Sequence, residues 1–376
     1  MLGLVNTVSS GSTLEALYSI ILNGSDDYVD LGETFNSVFQ GHFSISIWVN
    51  FADKDPSGNE YVFGSEIGTE DAIWFSQTSS QTYVFHFKSN NDEADSNAWS
   101  TGYNDGDDGE TGWQHFVFVV KNRGSSNASQ ILCYQNAVLK TAVTGGLTGT
   151  NHAAFTSTNL FLGAKNNDGT AELFSDSKIS DFAIWNALLD GAAVTAIYNS
   201  GRPTNLTFDD GGSYDNSSAL QAYYKMGNGR FDDKPNGVIH DQHAPGFEAD
   251  LIAANGGLVN SFSGNFTHSG GLMTVTADGN QNWNGGNVEA LTVYKATVDI
   301  VSGVTGKIFI GGTSSALFSG NGVNVRYVTT SNTASLLTYV SFNDCADMVV
   351  RSLKVEKLKG FPGLTSGGPT FSSDTP

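Results

Sequence analysis

The residues best suited to chemistry in this sequence are tryptophans beside amides, and carboxylates crowded into short polar stretches. Trp283 lies in Asn280-Gln-Asn-Trp-Asn284, flanked by Asn282 and Asn284, and Trp99 has Tyr103 four residues on. Sugar binding needs an exposed aromatic face, on which the C–H side of a saccharide stacks, with polar groups beside it for the hydroxyls. Trp283, Asn282, Asn284, Trp99 and Tyr103 are therefore the candidate carbohydrate contacts. Packing in the core or against a second subunit is the competing reading for Trp283.

Asp105, Asp107, Asp108 and Glu110 crowd one stretch, and Asn166, Asn167 and Asp168 precede Gly169 in another. Hard oxygen ligands on loops suit calcium, the one cofactor these residues suggest. The spacing matches no EF-hand, and a merely solvated acidic loop is the plainer alternative. His240 and His243, at i and i+3, could hold zinc given further ligands, yet no Cys pair or H-E-x-x-H helix accompanies them. They read as a surface turn. No G-x-S-x-G elbow occurs. Glycoside hydrolysis needs two carboxylates flanking the scissile bond, and Glu66-Ile-Gly-Thr-Glu-Asp71 has glycine in its middle and reads as a turn. No catalytic residue is expected, and the chain reads as a non-enzyme.

The elements that must position these residues are strands. With 44 glycines, only 7 prolines and 376 residues, the chain suits two all-β units joined by tight turns. Phe43, Ile45, Ile47, Val49 and Phe51 alternate with Ser44, Ser46, Trp48 and Asn50, a period of two that predicts a half-buried strand. Tyr83–Phe87, Trp113–Val120 and Ile131–Leu139 follow the same logic, and Phe116–Val120, apolar on both faces, predicts a central strand. One helix is predicted: Asp190 caps it, Val194, Ile197 and Tyr198 share a face, Gly201 supplies a left-handed end and Pro203 blocks continuation. Cys133 and Cys345 fall in separate apolar strand patterns and are expected as buried free thiols.

A formal net charge of −20, from 38 acidic and 18 basic residues, excludes nucleic acid as a partner and disfavours anionic lipid. No apolar run reaches the length of a membrane span. Residues 1–17 read as an N-terminal arm without the basic start of a signal peptide. A second β region spans 259–359, with strands expected at Leu272–Ala277, Val288–Ile300, Lys307–Ile310, Gly322–Thr329, Ser335–Phe342 and Met348–Lys357. Residues 230–258 read as a linker, and 360–376, rich in Gly, Ser, Thr and Pro, as a tail.

In order along the chain, Leu22-Asn-Gly-Ser-Asp-Asp-Tyr-Val, Phe43–Val49, Trp113-Gln-His-Phe-Val-Phe-Val, Ile131–Val138 and Leu160–Asn199 resemble the strands of laminin G-like, concanavalin A-like lectin domains. The resemblance covers 18–229 and implies a jelly-roll sandwich, followed at 259–359 by a smaller β-sandwich that resembles carbohydrate-binding modules. Ala137 departs from the family, which places glycine there. A type I′ turn wants positive φ at both central positions, so this turn is expected to be another type or strained. Tyr223-Tyr-Lys-Met-Gly-Asn-Gly-Arg-Phe-Asp-Asp and Val238-Ile-His-Asp-Gln242 resemble the closing segment of such domains in structural proteins of tailed, particularly marine, bacteriophages. That resemblance implies a virion surface protein, a tail or head fibre or a capsid decoration. Its partners would be other virion proteins, itself as a homo-oligomer of trimeric kind, and host-surface glycans, without insertion into a membrane. A ligand-free decoration and a secreted bacterial adhesin are the alternatives. Trp48, Trp113 and Trp185 fall at packing positions of the family pattern.

Overall fold

A computed structural model describes residues 18–53, 55–68, 71–89, 92–100, 112–121, 130–144, 155–243, 247–276, 281–283, 288–303, 306–318, 320–331, 340–345, 347–359 and 362–376. Two compact units emerge: one comprises residues 1–243 with 361–376, the other residues 244–360. The chain thus leaves the first unit, builds the second, and returns. Among the described residues no helix is long and apolar enough to cross a membrane.

In the first unit the strands are β1 (Ser19–Asn23), β2 (Tyr28–Asp30), β3 (Phe43–Phe51), β4 (Glu60–Ile67), β5 (Asp71–Thr78), β6 (Thr82–Ser89) and β7 (Asp92–Ser100). They continue through β8 (Gln114–Lys121), β9 (Gln130–Gln135), β10 (Val138–Thr144), β11 (Phe161–Leu162), β12 (Lys165–Asn167), β13 (Thr170–Glu172), β14 (Asp176–Trp185), β15 (Leu220–Tyr224) and β16 (Val238–His240). One sheet runs β10-β9-β8-β3-β14-β1, with Thr370–Ser372 pairing β1 at its end and β15 pairing β14. The other runs from β16 through Pro362–Ser366 to β2-β11-β4-β5-β6-β7, with the β12–β13 hairpin against β4.

Alternation explains the sandwich. Ile45, Ile47, Val49, Phe116, Phe118 and Val120 face inward from one sheet; Phe63, Phe75, Phe85 and Phe87 meet them from the other, all fully buried. Ring pairs cross the gap, with Phe85–Phe118 centroids 4.4 Å apart and Phe75–Phe116 4.8 Å. Pairs of this kind add about 0.5–1.5 kcal/mol each beyond the area they bury. The outer face of the first sheet is covered as well: Val117, Val119, Ala183 and Trp185 pack with Val194, Ile197 and Leu206 in a second cluster. This double burial is why Phe116–Val120 is apolar on both faces, and β8 is indeed interior.

The helix forms at α1 (Gly191–Tyr198), where the Asp190 side chain accepts from the Ala193 N–H at 2.8 Å. Its left-handed end begins earlier than expected, at Asn199 (φ 45°), and Gly201 (φ 89°) only completes it. Asn tolerates that conformation because its short polar side chain bonds locally.

Of the expected tail 360–376, residues 362–376 are built into the first unit. Thr365 and Leu364 pair with Val29 and Asp30, Leu364 also with Val238, and Phe371 with Ile20. The polar, glycine-rich composition that suggested a tail suits strands whose hydrogen bonds come from distant parts of the chain. The expected linker 230–258 likewise holds β16, whose residues are buried.

The second unit is β-rich, with an antiparallel sheet of five strands, one of three and one of two. Lys307–Ile310 and Gly322–Thr329 form as the sequence predicts, and Leu272–Val275, Val293–Ser302, Val340–Asn343 and Val349–Lys357 end within five residues of expectation. Met273, Val298, Ile308, Phe342 and Val350 are among its core residues. Cys133 and Cys345 are buried, free and in separate units.

Candidate functional site

The out-of-phase residues of β4, β5 and β6 point away from the core and build one surface. Trp74 lies between the buried Ile73 and Phe75, and His86 between the buried Phe85 and Phe87, so both emerge on the outer face. Register places Gly64, Trp74 and His86 in one row across the three strands. The Trp74 and His86 rings stack at 4.5 Å with 10° between planes, and Tyr61 lies against Trp74 at 5.0 Å and 56°. Both Trp74 and His86 are half-buried, with part of each ring open to solvent. Gly64 leaves room beside them: a Cβ there would stand 3.1 Å from Trp74 Cβ and 3.2 Å from Lys165 Cγ, a tight fit.

A charged rim adjoins the rings. Lys165 Nζ donates to Glu66 at 2.8 Å and Glu172 at 2.9 Å, and lies 5.6 Å from the Tyr61 ring centre. Burial would lower the Lys165 pKa, but its bonds to the two carboxylates outweigh that and leave it raised. Burial, helped by Lys88 and Lys165, pushes His86 down to about 4, so its ring is neutral at pH 7. Leu173, 40% exposed and at φ 56°, accepts the Tyr61 N–H at 2.9 Å. A left-handed leucine costs roughly 1–2 kcal/mol, and held strain of this kind clusters at binding sites.

Polar atoms are left over. Among the described residues the Trp74 indole N–H and both His86 nitrogens have no hydrogen-bond partner, and the buried Ser76 hydroxyl, two residues beyond Trp74 in the same strand, has none either. Half-buried rings carrying unused donors and acceptors can receive a hydroxyl-rich, partly apolar ligand. Alternating strands hid this site at the sequence level: the apolar positions of Tyr83–Phe87 announced a strand, while His86, opposite Trp74, carried the face.

The residues expected to bind fare differently. Trp99 is buried at 8% exposure, 6.2 Å from Phe75 with parallel rings, and its Nε1 donates to Gln135 at 3.1 Å. It points inward because its neighbours Ala98 and Ser100 point out, so it offers no face to a sugar. That is a correction. Tyr103, Asp105, Asp107, Asp108, Glu110 and Asn284 lie outside the described residues. Asn282 and Trp283 belong to a strand, Gln281–Trp283, whose backbone pairs with Phe262–Gly264.

Asn166, Asn167 and Asp168 serve a hairpin. Asp168 and Gly169 take φ 48° and 90° at the turn, Asn166 is buried and bonds Asn159 and Gly169, and Asn167 donates to Glu172. The two asparagine side chains are spent on the hairpin. His240 is no surface turn: it is buried in β16, and burial pushes it down to about 4. Among the described residues no three His, Cys, Asp or Glu side chains converge on a point where a metal could sit. Trp48 and Trp185 are buried, the latter donating to Tyr214 at 3.1 Å. Trp113, expected to pack, is instead half-exposed, with Nε1 donating to Asp374 at 3.3 Å.

Residues 23–195 match the family model of the concanavalin A-like lectin/glucanases superfamily. The first unit is a concanavalin A-like lectin-fold domain. The matched span of the lectin-fold domain includes all of β2–β14 and the whole Trp74–His86 face. Solved structures similar to the chain include the CBM40 module of a Ruminococcus gnavus IT-sialidase, at 11% identity and TM-score 0.37, over 48% of this chain and 97% of that one. A heptameric pentraxin from Limulus polyphemus is similar at 13% identity and TM-score 0.36, over 51% and 88%. A botulinum neurotoxin type C, whose cell entry depends on two ganglioside molecules, is similar at 15% identity and TM-score 0.35, over 89% and 94%. No curated protein matches the chain.

Proposed function

We propose that this chain is a non-catalytic glycan-binding surface protein whose saccharide contact is the Trp74–His86 face of the lectin-fold domain. The observation that carries the reading is the pair of half-buried rings whose N–H and N groups have no protein partner among the described residues. A sugar supplies what those groups lack: apolar C–H for the rings and hydroxyls for the ring nitrogens. The nearby carboxylates argue against hydrolysis. A glycosidase needs two carboxyls free to flank the scissile bond, whereas Glu66 and Glu172 are both tied to Lys165, at 2.8 and 2.9 Å. In the second unit Trp283, with Asn282 and Asn284, is the corresponding proposed contact, and calcium at Asp105, Asp107, Asp108 and Glu110 is the cofactor proposed for the first.

Binding of the purified chain to an immobilised glycan panel tests this. Trp74→Ala should reduce binding at least tenfold, with a melting temperature within a few degrees of the parent, because the ring is only half-buried. Unchanged binding in that variant would place the contact elsewhere.

The resemblance of Tyr223–Asp233 and Val238–Gln242 to bacteriophage structural proteins favours a place on the virion surface, as fibre or decoration, with other virion proteins and copies of itself as partners. Antibody against the chain should label particle surfaces by electron microscopy. Particles that stay unlabelled while the cell envelope is decorated would favour a bacterial adhesin instead.

A further inference from the structure

Resting on the reading above, we infer that the Trp74–His86 face takes neutral saccharides and rejects sialylated ones. Charge decides it at two ranges. The first unit holds 11 Lys and Arg against 30 Asp and Glu, while the second holds 7 against 8, so nearly all the chain's net negative charge belongs to the unit that carries this face. Such a field repels an anionic ligand before contact.

At contact range the site lacks what a carboxylate ligand needs. Planar, bidentate recognition of a carboxylate is the work of arginine, and β4, β5 and β6 contain none. Of the ammoniums near the rings, Lys165 is already shared by Glu66 and Glu172, and Lys88, which also acts on His86, is not free either. At Lys165 an incoming sialate would have to compete with two fixed carboxylates and then lie against them. His86 adds no positive charge at neutral pH. The groups that remain unused, the Trp74 N–H and the His86 ring, are neutral donors and acceptors suited to hydroxyls.

The experiment compares matched glycans, each neutral oligosaccharide beside the same chain capped with sialic acid, by titration with the full-length protein at low and at high salt. The sialylated member should bind at least tenfold more weakly at low salt, and the gap should narrow as salt screens the field. The double variant Glu66→Gln, Glu172→Gln should shrink the gap several-fold by freeing Lys165. Sialylated glycans that bind as well as or better than their neutral partners overturn the inference while leaving glycan binding intact. Failure of both members to bind overturns the inference together with the glycan-binding reading.

Discussion

His115 shows how one residue type acquires opposite roles by position. It sits in the strand motif that the sequence shares with lectin domains, and its ring is buried against Trp48 at 4.6 Å and 23°. Ser46 Oγ shares a hydrogen bond with its Nε2 at 2.7 Å, while Nδ1 has no partner. A charged imidazole there would be an uncompensated buried cation, and burial pushes its pKa down to about 3. An unfolded histidine titrates near 6.5. The folded pKa lies below the unfolded one, so the stabilisation is complete above about 6.5 and drains away as pH falls from there toward 3. By pH 5 this residue should have cost the fold about 2 kcal/mol. Urea unfolding at pH 7 and pH 5 should therefore show a drop smaller by about that amount in His115→Gln, which keeps a partner for Ser46. Equal drops in parent and variant would mean that His115 titrates normally. His86 is lowered too, but on an outer face where its ring is half-buried. The sequence displays both histidines plainly; only their surroundings distinguish a core residue from one on an outer face.

Among the elements, the β9–β10 hairpin resolves the question raised by Ala137. Asn136 and Ala137 take φ 51° and 63°, so the turn keeps the left-handed form at both positions and accepts the strain. Two local gains offset it. The Asn136 side chain accepts the His115 N–H at 2.9 Å and donates to Gln114, and the Ala137 methyl packs against the cluster that contains Trp185 and Leu189. A left-handed alanine costs about 1–2 kcal/mol, and a partly buried methyl returns less than ~0.8 kcal/mol. Ala137→Gly should then raise the unfolding free energy by up to about 1 kcal/mol, and Ala137→Val, β-branched, should lower it by at least as much. Denaturant midpoints read both, and a loss in the glycine variant would mean that the methyl outweighs the strain. Strand positions were legible here because alternation is a local property: Phe43–Phe51 forms as written and Gln114–Lys121 occupies the sheet interior. The turn's energetics were not, since they depend on Gln114 and a helix more than fifty residues away.

For the whole molecule, the sequence by itself determined the all-β class, the lectin-type order of strands over the first unit, the capped helix Gly191–Tyr198 and the burial of both cysteines. Each follows from short-range pattern: a period of two, a cap four residues before a helical face, an apolar run around a thiol. The tertiary structure alone decided three other matters. It returned residues 362–376 to the first unit, where they complete both sheets, because a strand's partners are chosen by free edges rather than by neighbours in sequence. It buried Trp99 and left Trp74 only half-buried, since a tryptophan in an alternating strand is inward or outward according to the phase of the residues beside it. And it brought Tyr61, Trp74, His86 and Lys165 together from three adjacent strands and a distant hairpin. Phase and register across a sheet are non-local quantities, and the candidate site is made of them.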